Sequence, residues 1–162
     1  MAMSKSTSKC VDELLAGMAR AWNEGDGAAL AAHFAEDADF VDVVGRFHRG
    51  RAVIAEEHQK IFDTVYRGSR LAIRLLDGRP LADGLLLLHT ATTLHVPEGP
   101  RAGELHGIRT QIVRDAETDG KILAFHNSAR TDLADFAHDD EDMARRSPRE
   151  WHGQGSHDPD DS

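Results

Sequence analysis

The chain has 162 residues, 40% of them hydrophobic, and a formal charge of −9, which suits one domain with one core. From Asp132 onward stand ten acidic residues and three arginines, so Met1–Thr131 carries only −2, and a body this close to neutral has no basic face for nucleic acid. No run of 18 apolar residues reads as a membrane helix, and a single cysteine, Cys10, excludes an internal disulfide and suits a reducing cytoplasm.

In chain order, Met1–Lys9 is Ser- and Lys-rich, lacks the apolar run of a secretory signal, and is expected to fray. Val11, Leu14, Leu15, Met18 and Trp22 then fall at i, i+3, i+4, i+7 and i+11, the stripe of an amphipathic helix. Gly25 stops it, and Asp26 is placed to N-cap a second short helix through Phe34, with Leu30 and Phe34 as its buried side. Trp22 reads first as core packing and second as a ligand contact. Ala38–Val44 reads as a strand with Phe40 and Asp42 on one face. Gly45 and Arg46 turn the chain into a short return strand, Phe47–Arg49, and Gly50 breaks it before a third helix, Arg51–Val65. The stripe of that helix is Ile54, His58, Ile61, Phe62 and Val65. His58 in this apolar row is either a core histidine bonded to a carbonyl or carboxylate, or a polar tip facing a pocket.

The stretch Ser69–Arg130 reads as four long strands, Ser69–Ala82, Leu85–Val96, Leu105–Arg114 and Lys121–Arg130. Asp83-Gly84 and Asp119-Gly120 are pairs that tight hairpins favour, because Gly takes positive φ without steric cost. Pro97 and Pro100 force a loop between the middle strands. Arg109 and Gln111 share one face of their strand; His89 and His126 stand on neighbouring strands. Strands of this length coil, and a coiled sheet has a concave face where a small molecule can bind. Both faces are partly apolar, so the face not covered by helices is expected to be covered by a second copy of the chain.

Several chemistries lack their motifs. There is no G-x-S-x-G, P-loop, G-x-G-x-x-G or H-E-x-x-H, no pair of His at helical i, i+4 spacing, and too few cysteines for a thiolate zinc site. No metal and no cofactor is expected. What remains is polar residues on apolar elements: Asp42, His58, His89, Arg109, Gln111 and His126. An Asp in an apolar pocket has its charged form disfavoured, so its pKa rises and it can exchange protons near neutrality. A neighbouring His or Arg can orient it or stabilise an enolate-like oxyanion. A buried Asp–Arg or Asp–His pair without catalysis is the structural alternative.

The order of elements, with AWNEGD at 21–26, FAEDADFVD at 34–42, GRFHRGR at 45–51 followed by Ile54, and ILAFHNS at 122–128, resembles the nuclear transport factor 2-like (NTF2-like) superfamily. Within it these segments are similar to the SgcJ/EcaC-type branch, a relative of the SnoaL-like polyketide cyclases and ketosteroid isomerases. The resemblance covers about Val11 to Thr131. It implies an α+β cone of three N-terminal helices on a strongly curved, mainly antiparallel sheet of about six strands, with a pocket between them and dimerisation through the sheet. It also implies a bacterial setting in natural-product biosynthesis, enediyne and other polyketide clusters included.

The expectations are a frayed segment 1–9, an NTF2-like domain 10–132 and an acidic, disordered or weakly helical tail 133–162. The protein is expected to be a cytoplasmic homodimer holding a hydrophobic, polyketide-like small molecule, without nucleic-acid or membrane partners. As a cofactor-independent cyclase or isomerase, Asp42 or His58 would move the proton while Arg109 and His126 polarise an oxygen. Trp22, Phe40, Phe62, Tyr66, His89 and Gln111 would line the ligand. A ligand-binding module without turnover, or a dimeric assembly protein whose concavity is filled by side chains, are the alternatives. Cavity volume separates the last from the others, because drug-sized ligands need about 300 Å³ or more.

Overall fold

Ser4 opens the first helix by accepting a hydrogen bond from the Thr7 backbone N–H on its side-chain oxygen, 3.1 Å. The computed structural model describes residues 2–132 and 134, and in it α1 spans Lys5–Asn23. The frayed start expected for 1–9 is therefore corrected from Lys5 onward: the Ser4 cap extends the helix beyond its apolar stripe. Val11, Leu15, Met18 and Trp22 are buried as that stripe requires.

Asp26 caps α2, Gly27–Ala31, through Ala29 N–H. This helix stops before Phe34, which instead opens β1, Phe34–Val41. A register shift between Phe34 and Asp39 interrupts the strand's alternation, so Glu36 and Asp37 are exposed side by side while Ala38 and Phe40 turn inward. The chain returns as β2, Phe47–Arg49, and enters α3, Arg51–Asp63. The long strands follow: β3 Arg70–Ala82, β4 Leu85–Val96, β5 Gly103–Arg114 and β6 Ile122–Ala129. Gly84 and Gly120 take φ of 73° and 64° in the two hairpin turns, as the Asp-Gly pairs require.

The six strands form one mixed sheet in the order β2-β1-β6-β5-β4-β3. Only the β1–β6 pair is parallel. The architecture is α+β. The inner face is buried: Leu86, Leu88, Thr90, Thr92, Leu94 and Val96 on β4, and Gly107, Arg109, Gln111 and Val113 on β5. Helix α1 is tied to β3 by Asn23, whose Oδ1 accepts from Leu71 N–H at 2.7 Å while its Nδ2 donates to Leu71 C=O at 3.3 Å. Helix α3 is tied to the α1–α2 turn by Gln59, which accepts from Gly27 N–H and donates to Gly25 C=O.

The compact unit that holds these elements ends at Arg130. The acidic tail expected at 133–162 lies outside the described residues, Ala134 apart. Among the described residues no helix is long and apolar enough to cross a membrane.

Candidate functional site

A cavity of about 110 Å³ lies between the helices and the inner face of the sheet. Met18 and Trp22 of α1, His58 and Ile61 of α3, Phe34 and Phe40 of β1, and Arg109 and Phe125 of the sheet contribute to its walls. Its apolar side is an aromatic cluster. Phe40 stacks on Phe125 at 4.6 Å between centroids with the rings 6° from parallel, and meets His58 edge-on at 5.1 Å. Trp22 points its indole N–H at Ser69 Oγ, 2.9 Å, which satisfies the one polar atom of a buried ring. Tyr66 closes this side, half-buried and 6.0 Å from Trp22.

Arg109 is the unusual member. It is 5% exposed, and its guanidinium lies over the Phe125 ring at 5.2 Å. Its Nε is buried without a hydrogen-bond partner, and among the described residues no carboxylate pairs with it. Burial alone pulls its pKa down to about 10, so it remains a cation at neutral pH. On β6, the strand neighbour paired with it in register is Asn127, whose Oδ1 is also buried and unsatisfied.

His58 is buried in α3. Its Nδ1 lies 2.8 Å from the Ile54 carbonyl, which can only accept, so Nδ1 carries the hydrogen and Nε2 is left as the acceptor of a neutral ring. Burial pushes its pKa down to about 4, Arg109 and His48 push the same way, and the Ile54 hydrogen bond and Asp42 only partly oppose them.

Asp42 departs from expectation. Burial does act to raise its pKa, but hydrogen bonds from His48, the Arg46 backbone and side chain, and Val44 outweigh it and hold the carboxyl below its ordinary value. Oδ1 accepts from Val44 N–H at 3.1 Å and Arg46 N–H at 2.9 Å; Oδ2 accepts from Arg46 Nε at 2.8 Å and His48 Nε2 at 2.9 Å. The expected raised pKa is thus corrected. Asp42 stands on the cavity wall with its oxygens engaged by its own turn, an ionised carboxylate and not a poised base.

The register decides the other expected residues. With Arg109 facing inward on β5, Thr110 faces outward, and it pairs with His89 on one side and His126 on the other. Thr110 Oγ1 lies 3.2 Å from His89 Nδ1. His89 and His126 therefore sit on the outer face, away from the cavity, which corrects their expected roles. Gln111 faces inward but is fully buried outside the cavity lining, with Nε2 3.4 Å from Thr90 Oγ1. Phe62 likewise packs edge-on against Trp22 at 4.9 Å, behind the wall and not on it. Trp22, Phe40, Asp42, His58, Tyr66 and Arg109 are the expected residues that the cavity does bring together.

Sequence reasoning missed His48, Arg46, Glu57, Thr92 and Asn127, all on the cavity lining. The period-2 signal could have found Asn127, which shares the Phe125 face of β6, and Thr92, two residues from Thr90 on β4. Arg46 and Glu57 approach to 3.9 Å across the β1–β2 turn and α3, a tertiary contact with no local signature. Among the described residues, no group of three or more His, Cys, Asp or Glu is arranged to hold a metal.

No family model matches the chain, and no curated protein sequence matches it. Solved structures do. A domain of unknown function with a cystatin-like fold from Nostoc punctiforme is 27% identical over 92% of each chain, with a TM-score of 0.71. A ketosteroid isomerase-like protein from Erwinia carotovora atroseptica is 13% identical over 80% of this chain and 100% of its own, with a TM-score of 0.65. Aln2 from a Streptomyces species is 14% identical over 90% of this chain and 100% of its own, with a TM-score of 0.66. The mixed six-stranded sheet with helices over its inner face is the cystatin-like fold shared by the NTF2-like and ketosteroid isomerase-like proteins.

Proposed function

We propose that this chain is a small-molecule pocket protein of bacterial natural-product metabolism that binds a polyketide-like ligand by one compact end. The observation that carries this reading is a walled aromatic cavity that keeps a charged, unpaired side chain on its surface. A packed core that merely filled the concavity would have no use for such a group, since leaving it unpaired is costly. At about 110 Å³ the cavity is smaller than the roughly 300 Å³ that a whole drug-sized ligand needs, so volume alone favours a concavity filled by side chains, and unpaired Arg109 is what speaks for a ligand. The cavity matches a ring or short chain, with any larger body leaving past the exposed Arg46 and Arg101. The substrate class rests on the resemblance of the sequence segments to the SgcJ/EcaC-type branch, a relative of the polyketide cyclases. Homodimerisation through the outer face of the sheet belongs to the same proposal.

A second reading, cofactor-independent proton transfer of the isomerase or cyclase kind, is favoured by His58. Its tautomer leaves Nε2 as an acceptor on the cavity wall beside a cation able to stabilise an oxyanion. The test of the first reading is native mass spectrometry of protein purified from its producing host, with extraction of any bound compound. The expected result is an adduct with an oxygenated ring or chain. Protein that carries no adduct and shows no thermal shift against a library of ring-sized fragments would overturn it.

A further inference from the structure

We infer that the cavity is built for an oxyanion, and that its ligand is a compact monocarboxylate or equivalent enolate held by Arg109; this rests on the pocket reading above. The argument begins with charge. A guanidinium cannot be neutralised by losing its proton at physiological pH, so a buried one is normally paired. Arg109 is 5% exposed and stands on the cavity lining. The carboxylates nearest the cavity are already occupied. Asp42 accepts from Val44, Arg46 and His48, and Glu57 is bonded to Lys60 at 2.8 Å with Arg46 at 3.9 Å. Nothing among the described residues supplies the counter-charge.

The rest of the wall suits the remainder of such a ligand. Phe125 covers the guanidinium from one side through its ring face, a contact that satisfies none of its N–H donors. Gly107, also on the lining, has no side chain beside Arg109; a Cβ there would come within 2.7 Å of Thr92 Oγ1. Thr92 Oγ1 occupies that space, a hydroxyl on the same lining. The edges of the stacked pair Phe40 and Phe125, both on the lining, give the carbon skeleton an apolar wall. The recognition chemistry is thus a cation at one end of an aromatic slot, which selects a small aromatic or unsaturated acid over its neutral analogue.

The test compares butyrate and benzoate with butyramide and benzamide on the full chain, by calorimetry and by thermal shift. The expected result is that an acid binds about tenfold or more tightly than its matching amide. Arg109→Met should abolish that preference, and should raise the melting temperature of the unliganded protein. If that variant fails to fold, Arg109→Lys keeps the charge without the bidentate fork and should retain part of the preference. Equal binding of acid and amide, or an acid preference unchanged in the Arg109 variants, overturns the oxyanion inference and leaves the pocket reading standing. Binding of neither acid overturns the oxyanion inference, and the pocket reading is then decided separately by the adduct and fragment-library measurement.

Discussion

Phe40 and Phe125 lie one on the other, 4.6 Å apart and 6° from parallel, at the register position where β1 runs parallel to β6. The pair is both core and cavity wall. Phe125→Ala should cost about 3–5 kcal/mol in urea unfolding, since it opens a large void and removes the ring beneath Arg109. Phe125→Leu should cost clearly less. A loss under about 1 kcal/mol for the Ala variant would show that the stack carries little of the fold.

Asp42 holds the β1–β2 turn, so Asp42→Ala should lower stability by about 1–3 kcal/mol through the loss of charge-assisted bonds. Its folded pKa is depressed, so its contribution is present above the ordinary carboxylate value of 3.8 and is lost as pH falls below it. Ligand affinity should change by no more than a few-fold. Intact stability with binding or turnover abolished would restore the base that the sequence suggests.

His58 also loses stability on acidification, but over a different window. Its folded pKa, about 4, lies below the ordinary 6.5, so the unfolded chain takes up the proton first as pH falls. The neutral buried ring contributes fully above about 6.5, and that contribution fades toward pH 4, by roughly 3 kcal/mol in total. His33, also lowered by burial, acts in the same direction, so His58→Gln should flatten but not abolish the acid loss of stability between about pH 7 and 4.5. Unfolding curves for the variant and the native chain with the same pH slope would disprove the buried neutral ring.

Ile108, 41% exposed on the outer face of β5, sits beside Ala91 of β4 and Ser128 of β6. If a second copy covers this face, as proposed, Ile108→Glu should convert a dimer to a folded monomer in native mass spectrometry. A monomer in the native chain would overturn the dimer, and a dimer unaffected by the substitution would move the contact elsewhere.

Much of the sheet is legible in the sequence because its turns are chemical. Asp-Gly pairs and a pair of prolines bracket β3 to β6, and the observed strands lie within a residue or two of the expected ones. Phe34 reads as helical because the irregularity of β1 hides its period-2 pattern behind Glu36 and Asp37. His89 and His126 are misplaced for a different reason. A single strand tells which residues share a face but not which face looks inward, and only the pairing of Thr110 with both histidines decides it. Asp42 falls on the right wall with the wrong chemistry, because its neighbours at 44, 46 and 48 satisfy it locally, a turn pattern that the apolar surroundings obscure.

The parallel pairing of β1 with β6 also governs how the protein is made. The floor under Arg109 and the wall behind Phe40 come from opposite ends of the fold, Phe34–Val41 and Ile122–Ala129. During synthesis at the ribosome, β1 has no parallel neighbour until the last strand emerges, and contacts this distant in sequence close slowly. A chain stopped before Ile122 therefore lacks Phe125 and Asn127, the part of the cavity lining that lies under and beside Arg109.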